Sequence, residues 1–146
     1  MPSPDRPRIF VSQETQSSAR IRAKVGEELE EADPRAVLTA VLTELVPYDA
    51  ATRLHMRVRQ SFTALALSDA AIADRLRAEY VTFHEQIAGL LRKEQAAGRV
   101  APGDVRETAM ELVALAEGLA YYVLIGLVST DCARERVLAA IADAYV

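Results

Sequence analysis

The stretch LVALAEGLAYYVLIGLVS, residues 112–129, constrains the fold of this chain more than any other feature, because eighteen consecutive residues carry one charge, Glu117. A membrane-spanning helix needs roughly 20 predominantly apolar residues. Here Glu117 and Gly118 break the run in its middle and leave 11 uncharged positions after them, so the stretch is expected to be a helix of a globular fold and not a span. On a helical wheel Glu117 shares one face with Met110, Val113, Ala114, Tyr121 and Leu124, and Leu112, Leu115, Leu119, Tyr122 and Gly126 occupy the opposite face. Both faces are apolar, and a helix apolar all round must be covered all round. In a small helical domain one face can serve the core while the other meets a second chain; the alternative is a central helix wrapped by its own chain. The small residues Ala116, Gly118, Ala120 and Gly126 would let a partner helix approach closely.

The rest of the chain supports a single helical domain. At 146 residues it can bury a substantial share of its apolar surface. Hydrophobic residues make up 51%, aromatics only 5%, and Gly and Pro number six each, which suits a helix-rich globule whose core is filled by Ala, Leu and Val. The net charge of -4 gives no overall attraction to nucleic acid. Cys132 is the one cysteine and cannot form an intramolecular disulfide, and MPSPDRPRIF contains no apolar run of signal-peptide length. Both features point to a cytoplasmic protein.

Residues 1–17 are rich in Pro, Ser and Gln and are expected to be a flexible leader. From Ser18 a helical pattern begins with Ile21, Val25 and Leu29. Asp33 as cap and Pro34 at the first helical position open a second helix with the stripe Leu38, Val41, Leu42 and Leu45, closed by Pro47. Asp49 caps a third, where Leu54, Val58, Phe62 and Leu65 form the expected stripe and Arg53, Arg57 and Arg59 are expected to face outward. After SDAA, the positions Ile72, Leu76, Tyr80, Phe83, Ile87 and Leu90 or Leu91 predict a long fourth helix ending near Gly98. Asp104 and Glu107 stand at capping-box spacing before the opening stretch. Thr130 or Asp131 is expected to cap a short last helix carrying Val137, Leu138, Ile141 and Tyr145. With no segment of period two, no glycine-rich phosphate loop and no repeat, the fold is expected to be all-α, an antiparallel bundle of about six helices.

Three segments carry a family resemblance: RIRAKVGEELEEADPRAVLTAVLTELVPYDAATRLHMRVRQSF, then RLRAEYVTFHEQIAGLLRKEQAAGRV, then ETAMELVALAEGLAYYVLIG. Together they resemble the C-terminal regulatory domain of TetR-family transcriptional repressors, in the BetI-like branch, from about Ser18 to the end. The most specific pieces are the LTELVPYD junction, the QAAGRV turn, and LVALAEGLA, which resembles an acid-Gly-Leu signature in the dimerisation helix. The resemblance implies a homodimer through the last two helices and a small-molecule pocket enclosed by the helices before them. Members of that family begin with a helix-turn-helix of about 50 residues, and IFVSQETQSS shows nothing like its recognition segment. Direct DNA contact from this sequence is therefore not expected.

With the pocket so placed, the wheel selects Met56, Gln60, Thr63, Tyr80, Phe83, His84, Ile87, Glu117 and Tyr121 as ligand-binding candidates. Tyr80, Phe83 and Ile87 would also be core in any bundle. Glu117 is the sharpest candidate: a carboxylate on an apolar face must find a partner, take up a proton or face a polar cavity. A cationic effector would satisfy it, and so would an arginine of its own or of a partner chain. The expected dimer interface comprises Leu112, Leu115, Leu119, Tyr122, Val123 and Gly126 with Val137, Leu138, Ile141 and Tyr145 of the last helix. No metal site is expected: HEQIA begins like HExxH but has Ala88 where the second His would stand. The expected function is an effector-binding, dimerising domain of a TetR-like regulator, taking a small, mostly apolar effector, with no cofactor and no enzymatic activity. The alternatives are an interaction protein that forms mixed dimers with a full-length repressor and, further off, a helical-bundle enzyme.

Overall fold

The computed structural model describes residues 33–146. The expected leader and the helical pattern from Ser18 lie outside the described residues. Five helices follow in order: α1 Pro34–Glu44, α2 Ala50–Ala66, α3 Ala70–Ala96, α4 Val105–Leu124 and α5 Thr130–Ala144. No strand occurs among the described residues beyond a single antiparallel bridge between Val100 and Tyr145, so the fold is all-α.

Each helix starts where a short polar side chain can accept hydrogen bonds from the first turn. Asp33 accepts from the Arg35 amide ahead of α1, and Pro34 stands at the first helical position. At α2 the cap is reciprocal: Asp49 Oδ1 accepts from the Thr52 amide at 2.8 Å, and Thr52 Oγ1 accepts from the Asp49 amide at 3.0 Å. Asp69 caps α3 and Asp104 caps α4. The cap of α5 is Ser129, whose Oγ accepts from the Cys132 amide, and not Thr130 or Asp131. Thr130 instead donates its hydroxyl to the Pro47 carbonyl at 3.0 Å and ties the start of α5 to the α1–α2 junction. The turns after α3 and α4 place Gly98 at φ 73° and Gly126 at φ 75°, backbone conformations in which glycine carries no Cβ penalty.

Helices α3 and α4 are antiparallel neighbours, because Tyr80 meets Glu117 while Glu85 meets Arg106, reversing the sequence order along the pair. The main core joins Val37, Leu38, Val41 and Leu42 of α1 to Ile87, Leu90 and Leu91 of α3, Leu112, Val113 and Ala116 of α4, and Val137 and Ile141 of α5. Burying a side chain of this size contributes roughly 1.5–3 kcal/mol, so this cluster carries most of the apolar stabilisation.

Helix α2 contributes nothing to that cluster. Its one fully buried residue is Met56, and the expected stripe is displaced: Leu54 is 58% exposed and Leu65 51% exposed. Periodicity identified an amphipathic helix, but α2 turns the face bearing Met56, Arg59, Gln60 and Thr63 inward. It lies against α3 and α4 across a cavity instead of closing on the core.

A second polar feature lies at the opposite end of α3. Glu94 is only 1% exposed and is held by the Arg99 guanidinium, with Nη2 to Oε1 at 2.7 Å and Nε to both oxygens at 3.2 Å. The Arg99 hydrogen bonds keep the Glu94 carboxyl below its usual range. The chain end covers this pair through the Val100–Tyr145 bridge and the hydrogen bond from the Val146 amide to the Arg99 carbonyl.

Candidate functional site

Helices α2, α3 and α4 line a cavity of about 370 Å³ that is open to solvent on one side. Of the nine residues expected to bind a ligand, Met56, Gln60 and Thr63 of α2, Tyr80 of α3, and Glu117 and Tyr121 of α4 line this one space. The other three stand outside its wall. Ile87 is buried in the main core, Phe83 packs against that core, and His84 lies beside Tyr80 with ring centroids 5.7 Å apart. All three lie farther along α3 from Tyr80 toward the end that joins the main core, away from the cavity.

Arg59, Ala114 and Gly118, which are not among the nine expected residues, complete the lining. Ala114 and Gly118 flank Glu117 on the cavity face of α4 and keep the wall low. Arg59 corrects an expectation, since it turns inward where it was expected to face solvent. The signal was available: Met56, Arg59, Gln60 and Thr63 follow the spacing of three, four and seven that puts residues on one helix face.

The polar centre of the cavity is a closed triangle. Arg59 Nη2 donates to Glu117 Oε1 at 3.1 Å and to Tyr80 Oη at 3.1 Å, and the Tyr80 hydroxyl donates to Glu117 Oε2. Less than a fifth of either the Arg59 or the Glu117 side chain is exposed. An ion pair this enclosed has lost much of its hydration, and only good geometry and further hydrogen bonds repay that loss; the Tyr80 hydroxyl supplies one. Burial, and then the neighbouring Glu117 charge, push the Tyr80 pKa up to about 12. The Arg59 guanidinium carbon also lies 5.4 Å from the Tyr80 ring centroid, within reach of a cation–π attraction.

Chemically, this arrangement offers one carboxylate paired with a guanidinium, two tyrosines, the polar side chains of Gln60 and Thr63, and a small apolar surface from Met56 and Ala114. It contains no nucleophile paired with a base, and no group of three His, Cys, Asp or Glu side chains among the described residues could hold a metal ion. Among the same residues no helix is long and apolar enough to cross a membrane. Over residues 34–146 the chain matches the family model of the BetI-type transcriptional repressor, C-terminal. The chain belongs to this family.

Solved structures agree with that assignment. A TetR-family transcriptional regulator from Rhodococcus sp. is 27% identical, with a TM-score of 0.78 over 86% of this chain and 68% of its own. A transcriptional regulator from Saccharomonospora viridis, solved in complex with choline, is 25% identical, with a TM-score of 0.82 over 96% of this chain and 74% of its own. A transcriptional regulator from Rhodococcus sp. Rha1 shares the fold at 18% identity, with a TM-score of 0.81 over 95% of this chain and 85% of its own. No curated protein matches the chain. The family and these neighbours are transcriptional regulators and not enzymes.

In this BetI-type domain the residues expected at a dimer interface fall into two sets. Leu115, Tyr122, Leu138 and Gly126 are exposed, together with Ile125 and Leu127. Leu112, Val123, Val137 and Ile141 lie in the chain's own core, and Leu119 and Tyr145 pack partly buried against it.

Proposed function

We propose that this chain is the effector-binding and dimerisation domain of a TetR-like transcriptional regulator, and that its effector is a small organic cation of the quaternary-ammonium kind. The observation that carries this proposal is the placement of Glu117 beside Tyr80 and Tyr121 in one cavity. A carboxylate with aromatic faces is the combination that recognises ammonium groups, because the ring faces attract a cation without demanding hydrogen bonds from it. The cavity volume of about 370 Å³ suits a ligand of modest size. The choline bound by the Saccharomonospora viridis regulator is a ligand of the same chemistry.

Mechanistically, an effector that contacts α2, α3 and α4 together favours the arrangement in which those contacts are best made. In a dimer that shift changes the spacing of paired recognition helices, through which repressors of this kind read two half-sites on DNA. Calorimetric titration with choline tests the ligand class, with 3,3-dimethylbutanol as its uncharged isostere. Choline is expected to bind once per chain, more tightly than the isostere, and Glu117→Gln is expected to abolish the preference. An isostere that binds as well as choline would refute the cationic assignment.

A further inference from the structure

We propose that Arg59 is an internal competitor for the effector: its guanidinium holds the cationic place at Glu117, and an incoming cation takes that place by displacing it. This inference rests on the reading of the cavity as a cation site and adds the means by which occupancy is coupled to helix movement.

The geometry of the triangle supports it. Both Glu117 oxygens are engaged, Oε1 by Arg59 and Oε2 by Tyr80. The guanidinium also lies within cation–π distance of the Tyr80 ring. Arg59 thus uses the carboxylate and the ring face that an ammonium ligand would need. Two cations cannot share one carboxylate without repulsion, and the pair is screened only in part because less than a fifth of the Arg59 and Glu117 side chains is exposed. Either the effector is excluded or the arginine leaves. The length of the arginine gives it somewhere to go: the cavity is open on one side, and the stem can stay against Met56 while the charged head swings to solvent.

The consequence falls on α2. Among the described residues this helix buries one residue fully, Met56, and places none in the main core, whereas α3 and α4 are both anchored there. The Arg59 hydrogen bonds to Tyr80 and Glu117 therefore form a polar fastening between α2 and the two helices behind it. Displacing the guanidinium loosens the helix of the three with the least apolar burial to hold it, which makes α2 the element that responds to the effector.

The test is calorimetric titration of choline into the wild-type domain and into Arg59→Gln, Arg59→Ala and Glu117→Gln. If the closed triangle is populated in about nine-tenths of molecules, removing the arginine tightens choline binding about tenfold. Added guanidinium ion should then compete with choline in Arg59→Ala. Equal or weaker binding by both arginine variants, with the preference for choline over its isostere still abolished in Glu117→Gln, would leave the cation site standing and overturn the role given to Arg59. If choline binds neither the wild type nor either arginine variant, the cationic assignment itself fails and this inference falls with it. Should the variants not fold, the wild-type protein decides: the Arg59 Nε–Hε resonance must shift as choline saturates the site, and an unmoved resonance overturns the proposal.

Discussion

Tyr80 stands between an acid and a guanidinium, and its hydroxyl reports how well the cavity wall excludes water. Its pKa in the folded protein, about 12, lies above the ordinary tyrosine value of 10.0. The folded state therefore keeps a proton that the unfolded chain releases over that interval. The associated stability is fully present below pH 10 and is lost as the pH rises toward about 12. Tyr145 is shifted in the same direction by burial and by Glu94, so the wild-type slope mixes two residues. Comparing melting temperatures of the wild type and Tyr80→Phe across this alkaline range isolates the first, and the variant should lose stability less steeply. Parallel curves would mean that the Tyr80 hydroxyl is not held as described. At this scale Glu117 was legible in the sequence because a carboxylate inside an apolar run has to be accounted for. Its partner was not, since Arg59 is one of three arginines in RLHMRVR and only the turn of α2 about its axis selects it. Glu94 gave no signal at all: it sits in the polar run RKEQ, and its burial comes from the chain end folding across it. The removal of its charge by Glu94→Gln should lower the melting temperature, because Arg99 loses the carboxylate it clasps.

Among the described residues helix α2 places none of its side chains in the main core, so its cap should matter more here than at the helices rooted there. Removing a cap of the Asp type costs about 1 kcal/mol. In a domain of this size that corresponds to a fall of about 3–4 °C in melting temperature. Asp49→Ala is expected to produce this loss, and hydrogen exchange should speed up chiefly at the amides of Ala50–Ala66, with little change in α4. A uniform increase across all helices would instead show that α2 unfolds only with the whole domain. The caps at Asp33, Asp49 and Asp104 could be read directly, because the chemistry is local: an aspartate precedes an amphipathic segment and accepts from its free amides. Which face of α2 turns inward could not. Its sequence offers two stripes of the same period, Leu54, Val58, Phe62 and Leu65 on one side and Met56, Arg59, Gln60 and Thr63 on the other. The less apolar stripe faces inward because what it meets is a cavity with a half-buried carboxylate, and a carboxylate needs donors more than it needs leucines.

The proposed dimer follows from what the single chain leaves uncovered. Along α4, Leu112, Val113, Ala116 and Val123 turn into the chain's own core while Leu115 and Tyr122 point away from it, and Leu138 of α5 is exposed as well. The sequence showed a helix apolar on both sides, and the face expected to meet a partner included Leu112 and Val123, which lie in the chain's own core, because the same residue types serve both. Burial marks which residues of α4 face the chain's own core, and this makes the proposed interface testable without unfolding the chain. Tyr122→Glu and Leu138→Glu each place a charge on the exposed face, and in a two-fold interface every substitution acts twice. If these are central contacts, each worth about 2 kcal/mol or more, the dissociation constant should rise at least about a thousandfold. Sedimentation equilibrium would read this as a shift to monomer, with the helical circular dichroism retained. Leu112→Glu is the control, since a charge in the core should unfold the domain rather than dissociate it. A wild-type monomer at high protein concentration, or an unaltered dimer in both exposed-face variants, would mean that this apolar face serves another purpose. A dimer that dissociates as expected would place the cavity-lining end of α4 and the pairing surface on one helix. The Glu117 carboxylate and the Tyr122 ring would then be little more than one turn apart, and a change in how α2 is fastened could reach the partner chain through α4.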